Sequence, residues 1–294
     1  MKSRFFIIAF LASALFLGSC KDDNDLKDVD YAKLAEDSQI SQEMSEDMSN
    51  QVNNETKGGQ FSNQINKTSG IAQWKSAFND SINITLNTNG GVFPMTLTID
   101  FGSNGVTGLD GKVRKGQLVA QFTGLYTEAG TVVTVTPNNY YVNGYKIEGT
   151  KTITNNGRNS NGKLSFTEQD INGRIIKPNG GGTITWESTR TNTWVSGEAS
   201  GGFLGIFDDE YEITGTANGE ISDGTDYTID ISAPLLYKVL CQGSTYPLYS
   251  IVVDGELTYS LNGTEVAVLD YGNGTCDASG SITYGGTTYN IVVQ

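Results

Sequence analysis

The chain has 294 residues, a formal net charge of −14, three cysteines and no histidine. The lack of histidine excludes Ser-His-Asp and Cys-His catalysis, and it excludes a metal centre bound through imidazole. The negative charge argues against a nucleic-acid partner, because neutralising phosphates requires a basic face. With 37% hydrophobic residues the chain can form a core, and its length allows one large domain or two small ones.

The first residues have the pattern of a signal peptide. Lys2 and Arg4 precede an apolar run of 13 residues that ends at Leu17, followed by a glycine, a serine and Cys20. This run is too short to span a membrane as a helix, but it has the length of a signal-peptide core. Its end resembles the lipobox of bacterial lipoproteins, which implies a signal peptide over residues 1–19 and a lipid on Cys20. An ordinary secretory signal with an incidental cysteine is the alternative.

The residues after Cys20 carry a second resemblance. Lys21 is followed by a stretch that contains Asp22, Asp23 and Asp25. This pattern resembles the acidic export signal of surface lipoproteins of the Bacteroidota. It implies an outer-membrane protein that faces the cell exterior, with retention on the periplasmic leaflet as the alternative. The membrane is therefore an expected partner, through the acyl chains on Cys20.

Residues 20–70 are predicted to form an acidic tether and linker. Residues 21–56 contain eleven acids and three lysines, and such a segment repels itself. A helix is predicted near 30–53, because no glycine or proline interrupts it and its apolar residues share one helical face. These residues are Leu34, Ile40, Met44, Met48 and Val52. We expect a frayed stalk, with a partner-binding helix as the alternative, followed by a flexible linker to residue 70.

From residue 71 to residue 294 the pattern changes to alternating runs separated by Asn-Gly and Asp-Gly pairs. Leu97, Ile99 and Phe101 face one way in the first clear run, and polar residues face the other. One buried and one solvated face is typical of an antiparallel sheet, and Asn-Gly is the preferred pair for two-residue hairpin turns. The region is therefore predicted to be an all-β domain of 15 to 18 strands in an antiparallel meander. A curled sheet or a sandwich is favoured over a closed β-barrel. The overall sequence pattern of this region also resembles that of β-rich lipoproteins of unassigned function in the same phylum.

The acidic and aromatic clusters do not form a recognisable catalytic set. The carboxylates at 208–210 and those of Asp223, Asp226 and Asp230 fall on predicted turns, where acidic residues are usually solvated. Tyr140 and Trp186 belong to aromatic groups that could form an exposed platform for glycans or, more simply, cross-strand pairs. We predict no catalytic residue, no metal ligand and no cofactor.

Two short patterns have a possible function and a simpler structural explanation. Asp80-Ser81-Ile82 resembles the short O-glycosylation site of the same phylum, which makes Ser81 a candidate; a turn before a strand is the alternative. Asp100 and Asp270 each precede an aromatic residue and a glycine in two similar segments. They could hold calcium, but hairpin chemistry is favoured, with each aspartate accepting local backbone N–H groups.

Cys241 and Cys276 are predicted to form a disulfide. Cys20 is assigned to the lipid, which leaves an even pair in a chain exported to an oxidising compartment. Two separately buried thiols are the alternative.

These observations favour a lipid-anchored, non-catalytic interaction or structural module at the cell surface. The first alternative is a glycan-binding or glycan-processing component of a polysaccharide-uptake system, with a glycan or a protein as the partner. The second is a lipocalin-like carrier of an apolar ligand.

Overall fold

The computed structural model describes residues 31–58, 71–76, 79–200, 207–241 and 251–292. An α-helix, α1, covers Tyr31–Asn53 and ends in a single π-helical turn at Asn54–Gly58. The predicted helix over 30–53 is therefore present, and the predicted signal peptide over 1–19 lies outside the described residues.

The rest of the described chain is strand and turn. The strands are β1 (Ile71–Lys75), β2 (Asn83–Asn87), β3 (Met95–Asp100), β4 (Val106–Thr107), β5 (Val113–Phe122), β6 (Val132–Val142), β7 (Tyr145–Arg158), β8 (Leu164–Ile176), β9 (Thr183–Ser196), β10 (Glu210–Glu220), β11 (Asp226–Lys238), β12 (Ile251–Leu261), β13 (Thr264–Asn273), β14 (Ser279–Tyr284) and β15 (Thr287–Val292). Short 3-10 turns lie at Asn89–Gly91 and Pro178–Gly180.

All of these strands belong to one antiparallel sheet. Each strand pairs with the next in the chain, except that β3 pairs with β5 while the short β4 pairs only with β5. The predicted all-β meander is confirmed, with 15 strands in the described part of the chain. The sheet is not closed, because β1 and β15 remain at opposite edges. The closed alternative is therefore wrong, and a single curled sheet is formed instead of a sandwich.

The sheet curves around α1. Asp47 of the helix is bonded to Arg114 of β5, whereas Asn50, one turn later, donates to Tyr237 of β11 at 3.3 Å. In a flat sheet β5 and β11 would lie six strand spacings, about 29 Å, apart. Residues 47 and 50 are separated by only about 4.5 Å along a helix. Both contacts can form only because the strands bend around the helix. We call the side of the sheet that contacts α1 the concave face.

Glycines inside the strands provide part of this bend. Gly116 in β5 has a φ of +84°, and the pairing of β5 with β6 shifts register at this point. Gly255 in β12 has a φ of +99° where the pairing with β11 and β13 shifts. A bulged residue with positive φ bends its strand and increases the local twist. Such kinks allow a wide sheet to curve around a helix without forming a closed barrel.

The core lies between the concave face and α1. The predicted inward residues of β3 and its neighbour β5 are all at most 2% exposed. They are Leu97, Ile99, Leu118, Ala120 and Phe122, and Phe101, directly after β3, is buried to the same extent. Met44, Met48 and Val52 from the helix join the same cluster. The helix therefore completes the hydrophobic core of the sheet and does not stand apart from it as the expected frayed stalk.

Candidate functional site: a helix held in a polar groove

The residues that α1 buries are as much polar as apolar. The apolar residues that were predicted to share one helical face pack on the concave face, with Ile40 partly buried. The same side of the helix also buries Asp37, Ser38, Ser41, Ser45, Asp47 and Ser49. Some of these serines would compete with helical hydrogen bonding, but Ser41 donates to the carbonyl of Asp37 at 3.0 Å, which is compatible with a helix. A buried helix with this composition must find specific polar partners on the sheet.

The first group of partners surrounds Asp47. The Nε of Arg114 donates to Oδ1 of Asp47 at 3.0 Å, and the phenol of Tyr140 donates to Oδ2 at 2.5 Å. Arg114 also donates through Nη1 and Nη2 to Asp110 at 2.9 and 2.6 Å. Burial alone raises the pKa of Asp110, but the guanidinium outweighs it and holds that pKa below its ordinary value. Burial beside Asp47 raises the pKa of Tyr140, which keeps the phenol a hydrogen-bond donor.

The second group surrounds Lys151, which is 2% exposed in the middle of β7. Its ammonium lies 2.9 Å from Oε2 of Glu168 and 3.3 Å from Oδ1 of Asp170, both on β8. It also donates to the hydroxyl of Ser45 on the helix at 2.8 Å. Ser45 in turn donates to Asp170, and Ser49 donates to Glu168, each at 2.6 Å. One lysine, two carboxylates and two helix serines therefore form one connected buried network.

This network shifts the pKa values of Asp170 and Lys151 in opposite directions. Burial alone raises the pKa of Asp170, but Lys151 and the hydroxyls of Ser188 and Ser45 outweigh it, so the pKa lies below the ordinary value. Burial alone lowers the pKa of Lys151, but Asp170 and Glu168 outweigh it, so that pKa lies above the ordinary value. The ion pair therefore stays fully charged near neutral pH.

The third group binds the N-terminal half of the helix. Asp37 accepts from Lys177, just after β8, at 2.6 Å, and from the backbone N–H of Ser222 at 2.8 Å. The hydroxyl of Ser222 donates to the same carboxylate at 2.5 Å. Burial alone raises the pKa of Asp37, but these partners lower it below its ordinary value. The helix is thus held at three points along its length by carboxylates and hydroxyls that the sheet recognises.

These ion pairs and hydrogen bonds hold the helix on the sheet. Cations and donors at bonding distance keep the pKa values of Asp37, Asp110 and Asp170 below their ordinary value, whereas burial raises the pKa of Glu46 on the same helix. Removing one partner of such a buried pair costs roughly 3 to 5 kcal/mol, because the other charge is left uncompensated. We therefore expect the part of the concave face around Arg114, Lys151 and Lys177 to bind α1 in a single register.

These partners of the helix did not follow from the sequence. Arg114, Lys151 and Lys177 are more than 60 residues from the helix in sequence, and no local pattern connects them to it. One signal was present: Lys151 lies two residues before Ile153, so the alternation of β7 places it on the same buried side. A lysine in a predicted inward position implies a buried anion, and the acidic segment before residue 57 was available to supply one.

The candidate residues for anchoring and export cannot be placed in the structure. Cys20, Lys21, Asp22, Asp23 and Asp25 all lie outside the described residues. Their proposed roles remain predictions. Among the described helices none is long and apolar enough to cross a membrane.

Ser81 lies in the turn between β1 and β2 and is exposed. Its backbone N–H donates to the side chain of Asn79 at 2.9 Å, so the turn expected before this strand is present. The position is accessible, and its glycosylation stays a prediction.

Three of the other carboxylates, Asp209, Asp100 and Asp270, accept hydrogen bonds within the fold. Asp209 is buried and accepts from the indole of Trp194 at 3.2 Å. Asp100 and Asp270 accept the backbone N–H groups of Gly102 and Gly272 at 2.8 and 2.7 Å, which is the favoured hairpin chemistry. Across the described ranges no group of three acidic or cysteine residues is placed to hold a metal ion.

The aromatic residues considered for a glycan platform are mostly in the core. Trp186, Trp194 and Tyr140 are buried, whereas Tyr141 is half-buried with the ammonium of Lys115 4.2 Å from its ring centre. Such a platform would need exposed rings, so these tryptophans do not form one.

Cys241 and Cys276 form a disulfide, with Cα atoms 5.4 Å apart. Cys241 follows β11 and Cys276 follows β13, so the bridge connects the ends of two strands that flank β12. It packs against Ile251 and Val253 at the start of β12. The bridge thereby fixes the last part of the sheet to the strands that contact the helix.

Comparisons with protein-family profiles, with curated proteins and with solved structures give no significant match to this chain.

Proposed function

We propose that this protein is a lipid-anchored lipoprotein of the outer membrane, facing the cell exterior, and that it acts as a non-catalytic interaction or structural module. The anchor and the address rest on the sequence around Cys20 and Lys21. The single structural observation that supports the module is that α1, the first described element after the anchor, is bound inside the sheet.

The position of α1 gives the proposed anchor a short reach. Eleven residue steps separate Cys20 from Tyr31, which span at most about 40 Å when fully extended. If the helix were free, the reach would extend to residue 71, through 51 steps and a length several times greater. Docking of α1 therefore limits the distance between the sheet and the membrane more than a free helix would.

The same contacts favour a module over an enzyme or a carrier. The buried carboxylates of the groove bind Arg114, Lys151 and Lys177, so they are engaged in holding the helix. The concave face, where a carrier of the lipocalin type would enclose an apolar ligand, holds Met44, Met48 and Val52 of α1. A structural role for this face accounts for both features.

Protease accessibility on intact cells tests the proposal. We expect the wild-type protein to incorporate a fatty-acid label and to be cleaved by external protease. The Cys20→Ala variant should lose the label. Replacement of Lys21, Asp22 and Asp23 by alanine should keep the label but lower the cleaved fraction. Labelling of Cys20→Ala would refute the anchor, and unchanged cleavage after the alanine replacement would refute the export signal.

A further inference from the structure

The last hairpin of the sheet, β14 and β15, is uncharged, and its outer strand is an exposed edge of the sheet. Residues 278–294 contain no aspartate, glutamate, lysine or arginine, although the chain carries a net charge of −14. Within this stretch, all residues of β15 are exposed except Ile291, which is half-buried. An exposed and uncharged strand is unusual at the edge of a sheet, where charged residues normally prevent pairing with another chain.

The edge of β15 is also regular. Its pairing with β14 runs through six consecutive residue pairs with no register shift. Proteins protect exposed edges with bulges, prolines or lysines, and β15 shows none of these between Thr287 and Val292. The opposite edge differs, because β1 carries the exposed Lys75, and the adjoining Ser76 is bonded to Glu55 of the helical segment.

The two faces of the hairpin differ in character. Ile282 and Tyr284 of β14 pair with Tyr289 and Thr287 of β15 on the side that continues the concave face. Tyr289 stacks on Tyr284 with ring centres 4.9 Å apart but remains 45% exposed. On the other face Thr283 and Thr288 share a hydrogen bond of 2.8 Å. The hairpin is therefore amphipathic, and its apolar side extends beyond the strands that contact α1.

We propose that β15 pairs antiparallel with β15 of a second copy of this chain. Two identical strands related by a two-fold axis satisfy each other's outward backbone groups and join the two sheets. The same axis brings Tyr289 and Ile291 of both copies to one side, where they extend each other's apolar surface.

Charge identifies a second copy as the occupant. Two chains that each carry −14 repel one another over most of their surfaces, and this repulsion is smallest where both surfaces are neutral. The β14–β15 hairpin provides such a surface, and in self-pairing it meets an equally neutral one. A six-residue strand buries a small interface, so we expect a weak, reversible dimer. This inference does not depend on the lipid anchor.

Disulfide trapping in cells that make the full chain tests the pairing. Single cysteines are introduced on the polar face of β15, as Asn290→Cys and Val292→Cys, and on the opposite edge as the matched control Gln73→Cys. After mild oxidation we expect at least one β15 position to give a band of twice the monomer mass, at least tenfold stronger than Gln73→Cys. The unsubstituted chain measures any background from Cys20.

A charge at the edge should then abolish the dimer. Thr288→Lys, added to the cross-linking variant, places like charges across the pair and should reduce the dimer at least fivefold. Gln73→Lys in the same background should leave it unchanged. Equal melting temperatures of these variants would show that the sheet stays folded. Cross-linking no stronger than that of Gln73→Cys, adducts of another mass, or a dimer that survives Thr288→Lys would each overturn the proposal.

Discussion

The carboxylate of Asp47 on α1 and the guanidinium of Arg114 on β5 form a bonded ion pair that is almost fully buried. The two residues are 67 positions apart in the chain. Because a buried charge is stable only when it is paired, this contact makes the helix position and the sheet curvature depend on each other.

Asp47→Asn should destabilise the protein by roughly 1 to 3 kcal/mol, because the buried donors of Arg114 and Tyr140 lose a charged acceptor while Asp110 still pairs with the guanidinium. Urea unfolding measures the change in the free energy of unfolding. Glu36→Gln is the matched control: its side chain is 62% exposed on the same helix, and we expect a loss below about 0.5 kcal/mol. Equal effects of the two substitutions would contradict the buried pairing.

Acid should weaken the hold on α1. The pKa values of Asp37 and Asp170 are lowered in the folded state, so their contribution to stability is present above the ordinary aspartate pKa of about 3.9. It is lost as the pH falls through the folded pKa values. The free energy of unfolding, measured from pH 7 to pH 2.5, should therefore decline below about pH 4. Asp37→Asn should make this decline shallower, and an unchanged slope in that variant would count against the assignment.

High pH should also destabilise the protein, in this case through a group whose pKa is raised in the folded state. The pKa of Lys151 is raised in the folded state, so its contribution is complete below the ordinary lysine pKa of about 10.4 and is lost as the pH rises through the higher folded value. Lys151→Met should remove this part of the alkaline decline. It should also destabilise the protein at pH 7, since Glu168 and Asp170 lose their shared cation. A variant as stable as the wild type at pH 7 would contradict the network.

The disulfide should contribute to stability through the chain that it closes. Cys241 and Cys276 are 35 positions apart, and a loop of this length corresponds to about 3 to 4 kcal/mol on the chain-entropy estimate. The double variant Cys241→Ser, Cys276→Ser should lose about this amount in urea unfolding. Thiol titration of the denatured, unreduced wild-type protein should find neither cysteine free, and two titratable thiols would refute the bridge.

The close packing of β5 against β6 should make the stability of the protein depend on Gly116. A Cβ at this position would lie 1.9 Å from the carbonyl oxygen of Asn139, and the φ of +84° is itself unfavourable for alanine. Gly111 has a similar φ of +77°, but a Cβ there meets nothing within 4 Å. In urea unfolding, Gly116→Ala should therefore lower the free energy of unfolding more than Gly111→Ala does, by at least about 1 kcal/mol. Overpacking alone costs about 1 to 3 kcal/mol. Equal losses in the two variants would show that the close approach to β6 does not contribute to the effect of the substitution on stability.

Local patterns were enough to predict the strands and several of their turns. Asn143 and Asn262 have positive φ in two-residue connections between paired strands, as their Asn-Gly pairs indicated. The same dipeptide signal was misleading at Asn172, which lies inside β8, and at Asp254, which lies inside β12. A backbone that tolerates positive φ suits a bulge as well as a turn, and sequence alone does not distinguish the two.

The helix shows the other limit of sequence-based prediction. Its boundaries and apolar stripe followed from periodicity, because those depend on residues three and four apart. Its environment did not follow, because the partners of Asp37, Ser45 and Asp47 come from strands far along the chain. The local pattern of an acidic segment with serines predicts a solvated stalk. The buried cations that bind this segment come from distant strands and are identified only in the folded structure.

Hydrogen exchange of the α1 backbone in the full-length protein tests the central claim most directly, because a helix enclosed by the sheet and a solvated stalk differ most in this quantity. We predict that amides of residues 37–53 exchange as slowly as those of β7 and β8, and that Asp47→Asn accelerates them while Glu36→Gln does not. Exchange of these amides at the rate of an isolated peptide in the wild-type protein would contradict the account.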